Sequence, residues 1–168
     1  NPKWRRIAWL GIGAFACMAC ITLFRFYEQK NSSLFSVGFE SVKNGLKFAS
    51  MDSIVFVHDA VRCLIGKDLI IRCYEQAKIS GTAIPAINSK DSIRILENEL
   101  NRSLNRSAVK LIQTPQVFKS DLLLNAFDVE FNATFTDEAS VVEFAGHSVT
   151  LVEGDENNIK ITYPIDLI

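Results

Sequence analysis

Polar and apolar positions divide the chain into two unlike pieces. Residues 7–24, "IAWLGIGAFACMACITLF", contain no charged side chain. The basic stretch "KWRR" precedes them and Arg25 follows. A run of this length is a candidate membrane span, at the short end of what a bilayer requires. A buried helix or strand–helix of a soluble core has the same composition. A signal peptide would share the basic start, but no small-x-small cleavage site follows. Basic residues flank the run on both sides, Arg25 and Lys30 among them, so the orientation bias is weak. The polar break "EQKNSS" at 28–33 closes this segment. It sets a boundary between an N-terminal piece, 1–33, and a domain at 34–168.

Beyond the break the pattern changes to short strands alternating with helices. "SIVFVH" (53–58) is an apolar, β-branched run, as in a sheet covered on both faces. "KDLIIRCYEQAKISG" (67–81) places Leu69, Ile70, Cys73, Tyr74 and Ala77 at helical spacing, and Gly81 stops it. "TAIPAI" (82–87) reads as the next strand, and "VKLIQTPQVF" (109–118) begins as another. "SDLLLNAFDVEF" (120–131) is an amphipathic helix with Ser120 expected as its cap. "TDEASVVEFAG" (136–146) lacks a capping-box glutamate at Ala139, but Asp137 and Glu138 suit a helix's positive end. "SVTLVEGD" (148–155) alternates like a strand, and a short strand containing Lys160 is expected after it. The βαβ order predicts an α/β fold with mostly parallel strands.

The stretch 88–108, "NSKDSIRILENELNRSLNRSA", departs from this order. It is polar, with one short apolar stripe at Ile93, Ile95 and Leu96. It lacks the apolar face of a crossover helix, and reads as an inserted arm that a second subunit would cover. The chain opens on Asn1 and closes on "PIDLI", where a helix is expected to begin, so both ends are expected to be incomplete.

Composition narrows the function. Over 168 residues the hydrophobic share is 48% and the charged share 22%, which excludes a disordered chain. At a net charge of −1 there is no basic surplus to point to duplex nucleic acid. Four cysteines are too few and too scattered for a disulfide scaffold. Cys17 and Cys20 form a C-x-x-C inside the apolar run with no second pair, so packing explains them better than a metal. Cys63 and Cys73 read as small core residues.

Candidate chemistry collects where strands end. "IVFVH" runs directly into Asp59 and Arg62, and in open α/β sheets ligands bind outside the carboxyl ends of strands. A carboxylate there can hold a metal–phosphate complex or a hydroxyl, and an arginine can take a phosphate in bidentate fashion. An Asp–Arg pair capping a turn explains the same residues. His58 reads as a packed, hydrogen-bonded residue rather than a base. "QTPQ" (113–116) places Thr114 and two amides at another edge. Lys160 sits among apolar neighbours, where it either snorkels out or meets an anion.

Six segments, in order, carry a family resemblance: "FESVKNGL" (39–46), "VFVHDAVR" (55–62), "KDSIR" (90–94), "SLNRSAVKLIQTPQVF" (103–118), "TFTDEASVVEFAG" (134–146) and "LVEGDENNIKIT" (151–162). Together they resemble the 2-C-methyl-D-erythritol 4-phosphate cytidylyltransferases, from about residue 35 to 168. The resemblance implies a three-layer Rossmann-like nucleotidyltransferase sheet, truncated at its N-terminus. It implies cytoplasmic transfer of a cytidylyl group from CTP to the sugar phosphate in non-mevalonate isoprenoid synthesis, assisted by Mg²⁺. By the same resemblance Ser41 would contact the nucleotide. Asp59 would order the metal–triphosphate, touching the metal only indirectly. Arg62, Thr114 and Thr136 would line the sugar-phosphate pocket, and Lys160 would neutralise charge on the transferred phosphate. The arm 88–108 matches a homodimerisation arm, with Ser92 and Arg106 reaching into the partner's site.

The departures from that pattern are specific. No Gly-rich loop of the type L-A-A-G-x-G-x-R-M precedes residue 35, although such a loop cradles the triphosphate with backbone N–H groups. Gly38 stands where an arginine is usual, Cys63 where a proline is, Ser92 where a threonine is, and Asn105 where an aspartate is. Loss of the family's first strand would leave a sheet edge bare. The alternative function is a catalytically degenerate module, which residues 7–24 could tether to a membrane, that binds sugar phosphate or dimerises.

Overall fold

The protein's computed structural model describes residues 7–9, 34–98 and 100–167. Strand β1 (Ile7–Trp9) pairs in parallel with β2 (Ile54–Val57), Ile7 opposite Ile54 and Trp9 opposite Phe56. The start of the apolar run therefore occupies the edge of β2 that was expected to be bare. Residues 10–33, with the rest of the candidate span, the C-x-x-C and the polar break, lie outside the described residues. Among the described residues no helix is long and apolar enough to cross a membrane.

Helix α1 (Leu34–Leu46) leads to β2, and helix α2 (Lys67–Ser80) follows it. Leu69, Cys73 and Ala77, four residues apart, form the buried stripe of α2. Gly81 ends the helix at φ +86°, a left-handed conformation that costs glycine nothing, and its N–H bonds the Ala77 carbonyl at 2.9 Å. Strand β3 (Thr82–Asn88) follows at once. The arm then forms a hairpin apart from the main sheet, β4 (Arg94–Glu97) antiparallel to β5 (Leu100–Ser103). Leu96 and Leu100 on it are 80% and 77% exposed. After the arm come β6 (Lys110–Ile112), β7 (Gln116–Lys119), α3 (Ser120–Ala126), α4 (Glu138–Phe144) and β8 (Leu151–Glu153).

The sheet runs β1-β2-β7-β3-β6, with β8 also on β3. Ala86 faces Ile112 of β6 and Glu153 of β8, so those two strands flank β3 on opposite edges. The expectation of mostly parallel strands is corrected here. Among the described residues only β1 with β2 and β3 with β8 pair in parallel, whereas β7 is antiparallel to both β2 and β3. The cause is the connection. A parallel neighbour needs a crossover helix, and the arm between β3 and β6 supplies none, so the chain returns antiparallel. "VKLIQTPQVF" also forms two strands rather than one, divided around the cis Thr114–Pro115 peptide.

Alternation along the strands builds two cores. Val55, Ile84 and Phe118 face α1, α3 and α4, while Phe56, Ala83 and Val117 face α2. The first core is centred on Phe39 of α1, fully buried and stacked on Phe127 at 4.8 Å and Phe135 at 5.9 Å. Three layers result, with the sheet in the middle.

Four local expectations are corrected. Ser120 does not cap α3. It is the first helical residue, and its buried hydroxyl accepts the Ser53 N–H at 3.0 Å. Asp137 caps α4 in a capping box with Ser140, each side chain bonding the other's backbone N–H. The segment around Lys160 is irregular rather than a strand, tied to the loop after β2 by Ile161 N–H donating to Val61 O at 3.0 Å. Cys63 is exposed in that loop, whereas Cys73 is buried.

Candidate active site

Strand β2 leaves the sheet at Val57 and delivers His58, Asp59 and Arg62 to its rim. The Asp59 N–H donates to Thr114 Oγ1 at 2.9 Å, joining the end of β2 to the turn between β6 and β7. Arg62 folds back on Asp59, with Nε 3.4 Å from Oδ2, while its Nη1 donates to the Asn158 carbonyl at 2.7 Å. Lys160 reaches the same Asp59 Oδ2 at 3.1 Å. Asp59, Arg62, Thr114 and Lys160 thus meet at one place, although they come from three separate stretches of sequence.

The cations differ in their surroundings. Arg62 is only 9% exposed, whereas half of the Lys160 side chain faces solvent. A buried guanidinium with fixed partners is a rigid donor; an ammonium on a flexible stem can move to meet an anion. One carboxylate oxygen between two cations leaves a local positive balance, suited to an incoming phosphate.

His58 acts as a strut. Its Nε2 lies 3.1 Å from the Arg62 carbonyl, which can only accept, so Nε2 carries the proton. Its Nδ1, 3.0 Å from Thr114 Oγ1, then accepts the hydroxyl proton. Thr114 Oγ1 receives from Asp59 and gives its one proton to His58, so it has no donor left. Burial pushes the His58 pKa down, against the Arg62 carbonyl and Asp59, which raise it.

A layer of buried amides supports the rim. Gln113 donates Nε2 to the Asp155 carbonyl at 2.8 Å and accepts the Asp155 N–H on Oε1 at 3.1 Å, clamping the loop that leads to Lys160. Gly154 lies so close that a Cβ there would stand 2.5 Å from Gln113 Oε1 and 3.1 Å from the Ala86 carbonyl carbon. Gln116 donates to Asp137 Oδ2 at 2.9 Å and accepts the Ala139 N–H at 2.8 Å, fixing the start of α4. Asn158, fully buried, donates Nδ2 to the Thr114 carbonyl at 2.8 Å. Its Oδ1 has no hydrogen-bond partner among the described residues. A buried acceptor left so costs roughly 1–3 kcal/mol.

Glu138, 7% exposed at the start of α4, completes the electrostatics. Burial pushes its carboxyl up to about 7, and Asp137 and Asp59 push the same way, while Lys160 and its own N–H pull it back. A third carboxyl that titrates near neutrality therefore lies in the field of the Asp59–Lys160 pair.

Among the described residues, none of the other predicted residues shows a hydrogen bond or ion pair to this cluster. Ser41 is exposed on α1, Ser92 is exposed before β4, and Thr136 is exposed with its N–H donated to Ser140 Oγ at 3.0 Å. Arg106 is exposed and donates to the Lys90 carbonyl at 2.8 Å. Asn158 and Glu138 were missed by sequence reading. The only signal for Asn158 was a polar residue next to an apolar pair in "NIKI", and an acid in a helix's first turn is ordinary. A groove of about 470 Å³ lies elsewhere, between β3, β6 and β8. Shallow rims that receive phosphates through fixed charges need no such cavity, and the convergent polar groups place the candidate site at Asp59.

The same residues bear on metal chemistry. Among the described residues no three His, Cys, Asp or Glu side chains are grouped to hold an ion. Asp59 is the carboxylate at the centre, and its Oδ2 already meets Arg62 and Lys160. That fits an outer partner to Mg²⁺ carried on substrate phosphates, not an all-protein cage.

Comparison with known proteins gives one consistent result. The family model described as IspD, 2-C-methyl-D-erythritol 4-phosphate cytidylyltransferase, matches residues 36–168. The enzyme of that name from Bacteroides fragilis is 45% identical over 129 residues, covering 77% of this chain and 59% of that one. Its namesake from Alkaliphilus oremlandii is 43% identical over 148 residues, covering 83% and 63%. Among solved structures, the Thermus thermophilus enzyme aligns with a TM-score of 0.68 at 36% identity, over 77% of this chain and 65% of that one. The Francisella tularensis enzyme gives 0.69 at 37% identity, over 77% and 64%. The chain spans about three-fifths of the length of the curated relatives it matches. On the match over residues 36–168, the chain belongs to the 2-C-methyl-D-erythritol 4-phosphate cytidylyltransferase family.

Proposed function

We propose that this chain transfers a cytidylyl group from CTP to 2-C-methyl-D-erythritol 4-phosphate. A phosphate oxygen of the sugar phosphate forms a bond to the α-phosphorus of CTP. The bond from that phosphorus to the α–β bridging oxygen breaks, and pyrophosphate leaves with the electron pair. Such a step needs in-line positioning and charge neutralisation more than covalent catalysis. The observation that carries the reading is the meeting of Arg62 and Lys160 on one Asp59 oxygen, beside Thr114.

Arg62, held from behind, presents its free guanidinium edge to the sugar's phosphate. Lys160 leaves Asp59 to follow the charge that grows on the transferred phosphoryl group. The Thr114 hydroxyl is spent on Asp59 and His58, so Thr114 shapes the pocket rather than donating to substrate. Mg²⁺ arriving with the triphosphate would supply further charge neutralisation, with Asp59 as its outer partner. Ser41 is assigned to the nucleotide side and Thr136 to the sugar-phosphate side. The β4–β5 arm is assigned to a homodimer in which Ser92 and Arg106 serve the partner's site. The setting is the cytosol, where CTP and sugar phosphates are found.

Calorimetry with CTP·Mg²⁺ and, separately, with the sugar phosphate tests this reading, together with pyrophosphate release. Both ligands are expected to bind, and Lys160→Ala to reduce release by roughly 100-fold or more. Binding of the sugar phosphate alone would favour a degenerate module. Turnover unchanged in Lys160→Ala would overturn the assignment.

A further inference from the structure

The rim is held together by a closed circuit of hydrogen bonds, and one member of it has no assigned role. Asn158 Nδ2 donates to the Thr114 carbonyl at 2.8 Å. Thr114 Oγ1 accepts the Asp59 N–H at 2.9 Å. Asp59 Oδ2 meets Arg62 Nε at 3.4 Å, and Arg62 Nη1 returns to the Asn158 carbonyl at 2.7 Å. Asn158 is the buried link, with no exposed surface, and Gln113 Nε2 also approaches its carbonyl at 3.3 Å. Its side chain is orientated by one partner alone. Turning the amide over would set its oxygen against the Thr114 carbonyl, so the donor must face Thr114 even though Oδ1 is then left without a partner.

We infer that Asn158 is a positioning residue for phosphate capture. It fixes the Thr114 turn with its side chain and the Arg62 guanidinium with its backbone, and so sets the separation of Asp59, Arg62 and Thr114. Lys160 follows two residues later and is placed by the same segment. The inference rests on the reading of this rim as the sugar-phosphate site.

Asn158→Asp tests it, because the replacement keeps the shape and makes the donor depend on a proton. Ionised, the new carboxylate faces the Thr114 carbonyl without a donor; protonated, its O–H restores the bond. The measurement is sugar-phosphate affinity by calorimetry, expressed as the ratio of variant to parent across pH. That ratio removes the titration of the ligand and of His58, Asp59, Glu138, Asp155, Arg62 and Lys160, which both proteins share. The replacement carboxyl takes a fully buried position, and burial raises its pKa above the ordinary Asp value of about 3.9. At pH about 8 the variant is expected to bind roughly 10–100-fold more weakly, and near pH about 5.5 to approach the parent. Asn158→Ala should stay weak at both. A thermal melt at each pH identifies variants that are folded during the measurement. If Asn158→Asp unfolds at the higher pH, Asn158→Ala decides: affinity equal to the parent's overturns the inference. A ratio for Asn158→Asp that does not change with pH also overturns it. A parent that binds no sugar phosphate removes the reading of the site, and the inference with it.

Discussion

The rim around Asp59 and the β4–β5 arm carry similar polar residues, yet they are built in opposite ways. At the rim, partners lie far apart in sequence: Asp59 with Thr114, Arg62 with Asn158, Thr114 with Asn158. Arg62 and Asn158 are buried there, and Asp59, Arg62 and Thr114 each meet more than one neighbour. In the arm the ties are local, Arg94 to Asn101 and Arg102 to Glu97, and the apolar Leu96 and Leu100 face outward. The difference teaches that the rim's cross-links close within one chain, whereas the arm carries apolar side chains that its own chain leaves exposed. Charge placed where the backbone is fixed can do chemistry. Charge on a lone hairpin sits in exposed ion pairs, which contribute about 0–1 kcal/mol.

Breaking the rim should have the largest effect. Arg62→Ala removes a buried cation together with a donor to the Asn158 carbonyl, and is expected to cost about 2–4 kcal/mol of stability and all sugar-phosphate binding. Denaturant melts and calorimetry measure both. If stability and binding survive, the rim is no more cross-linked than the arm.

Glu138→Gln sharpens the comparison through pH. The folded carboxyl titrates near 7, above its unfolded value, so the native state holds the extra proton. Stability of the parent therefore falls as pH rises through the window from about 4.5 to 7. The glutamine variant should lack this fall and melt higher than the parent near pH about 8, by on the order of 2 kcal/mol, with little difference at pH about 5. Equal melting of the two proteins at both pH values would show that Glu138 is not held in its buried setting.

Gly154→Ala drives a methyl group into the Gln113 carboxamide oxygen and the β3 backbone, and should cost about 1–3 kcal/mol. Since Gln113 clamps the loop that bears Lys160, the same variant should weaken binding of the sugar phosphate. The smallest effect on folding belongs to the arm. Leu96→Ser with Leu100→Ser should change monomer stability by less than about 0.5 kcal/mol, both side chains being exposed. On the proposed pairing of two arms, sedimentation is expected to show a dimer for the parent and its loss in the variant. Unchanged association would separate the arm from dimerisation.

Much of the fold was legible because it follows local rules. The stripe Leu69–Cys73–Ala77 and the stop at Gly81 specify α2 without tertiary information. Strand direction was not legible, since it depends on what lies between strands rather than on the strands. Asp59 and Arg62 stood out as charges at the end of an apolar run, and Thr114 as a hydroxyl between two amides. The Gln113 amide was flagged in "QTPQ", but neither its clamp on Asp155 nor the Asn158 amide that brings them together could be read. An asparagine or glutamine reads alike whether it is solvated or buried, and only folding removes the water. Ser120 misled for a related reason, because a serine before a helix can cap it or, as here, tie down a distant strand.

The pairing of β1 with β2 has a consequence for the order in which the protein is made. Ile7–Trp9 leaves the ribosome before Ile54–Val57, so β1 is translated before its partner β2 exists. Closing a loop of that length carries only a logarithmic entropy penalty once the partner exists. Until then β1 lacks that partner, and expression yield should respond to chaperone supply more than the melting temperature of the finished protein does.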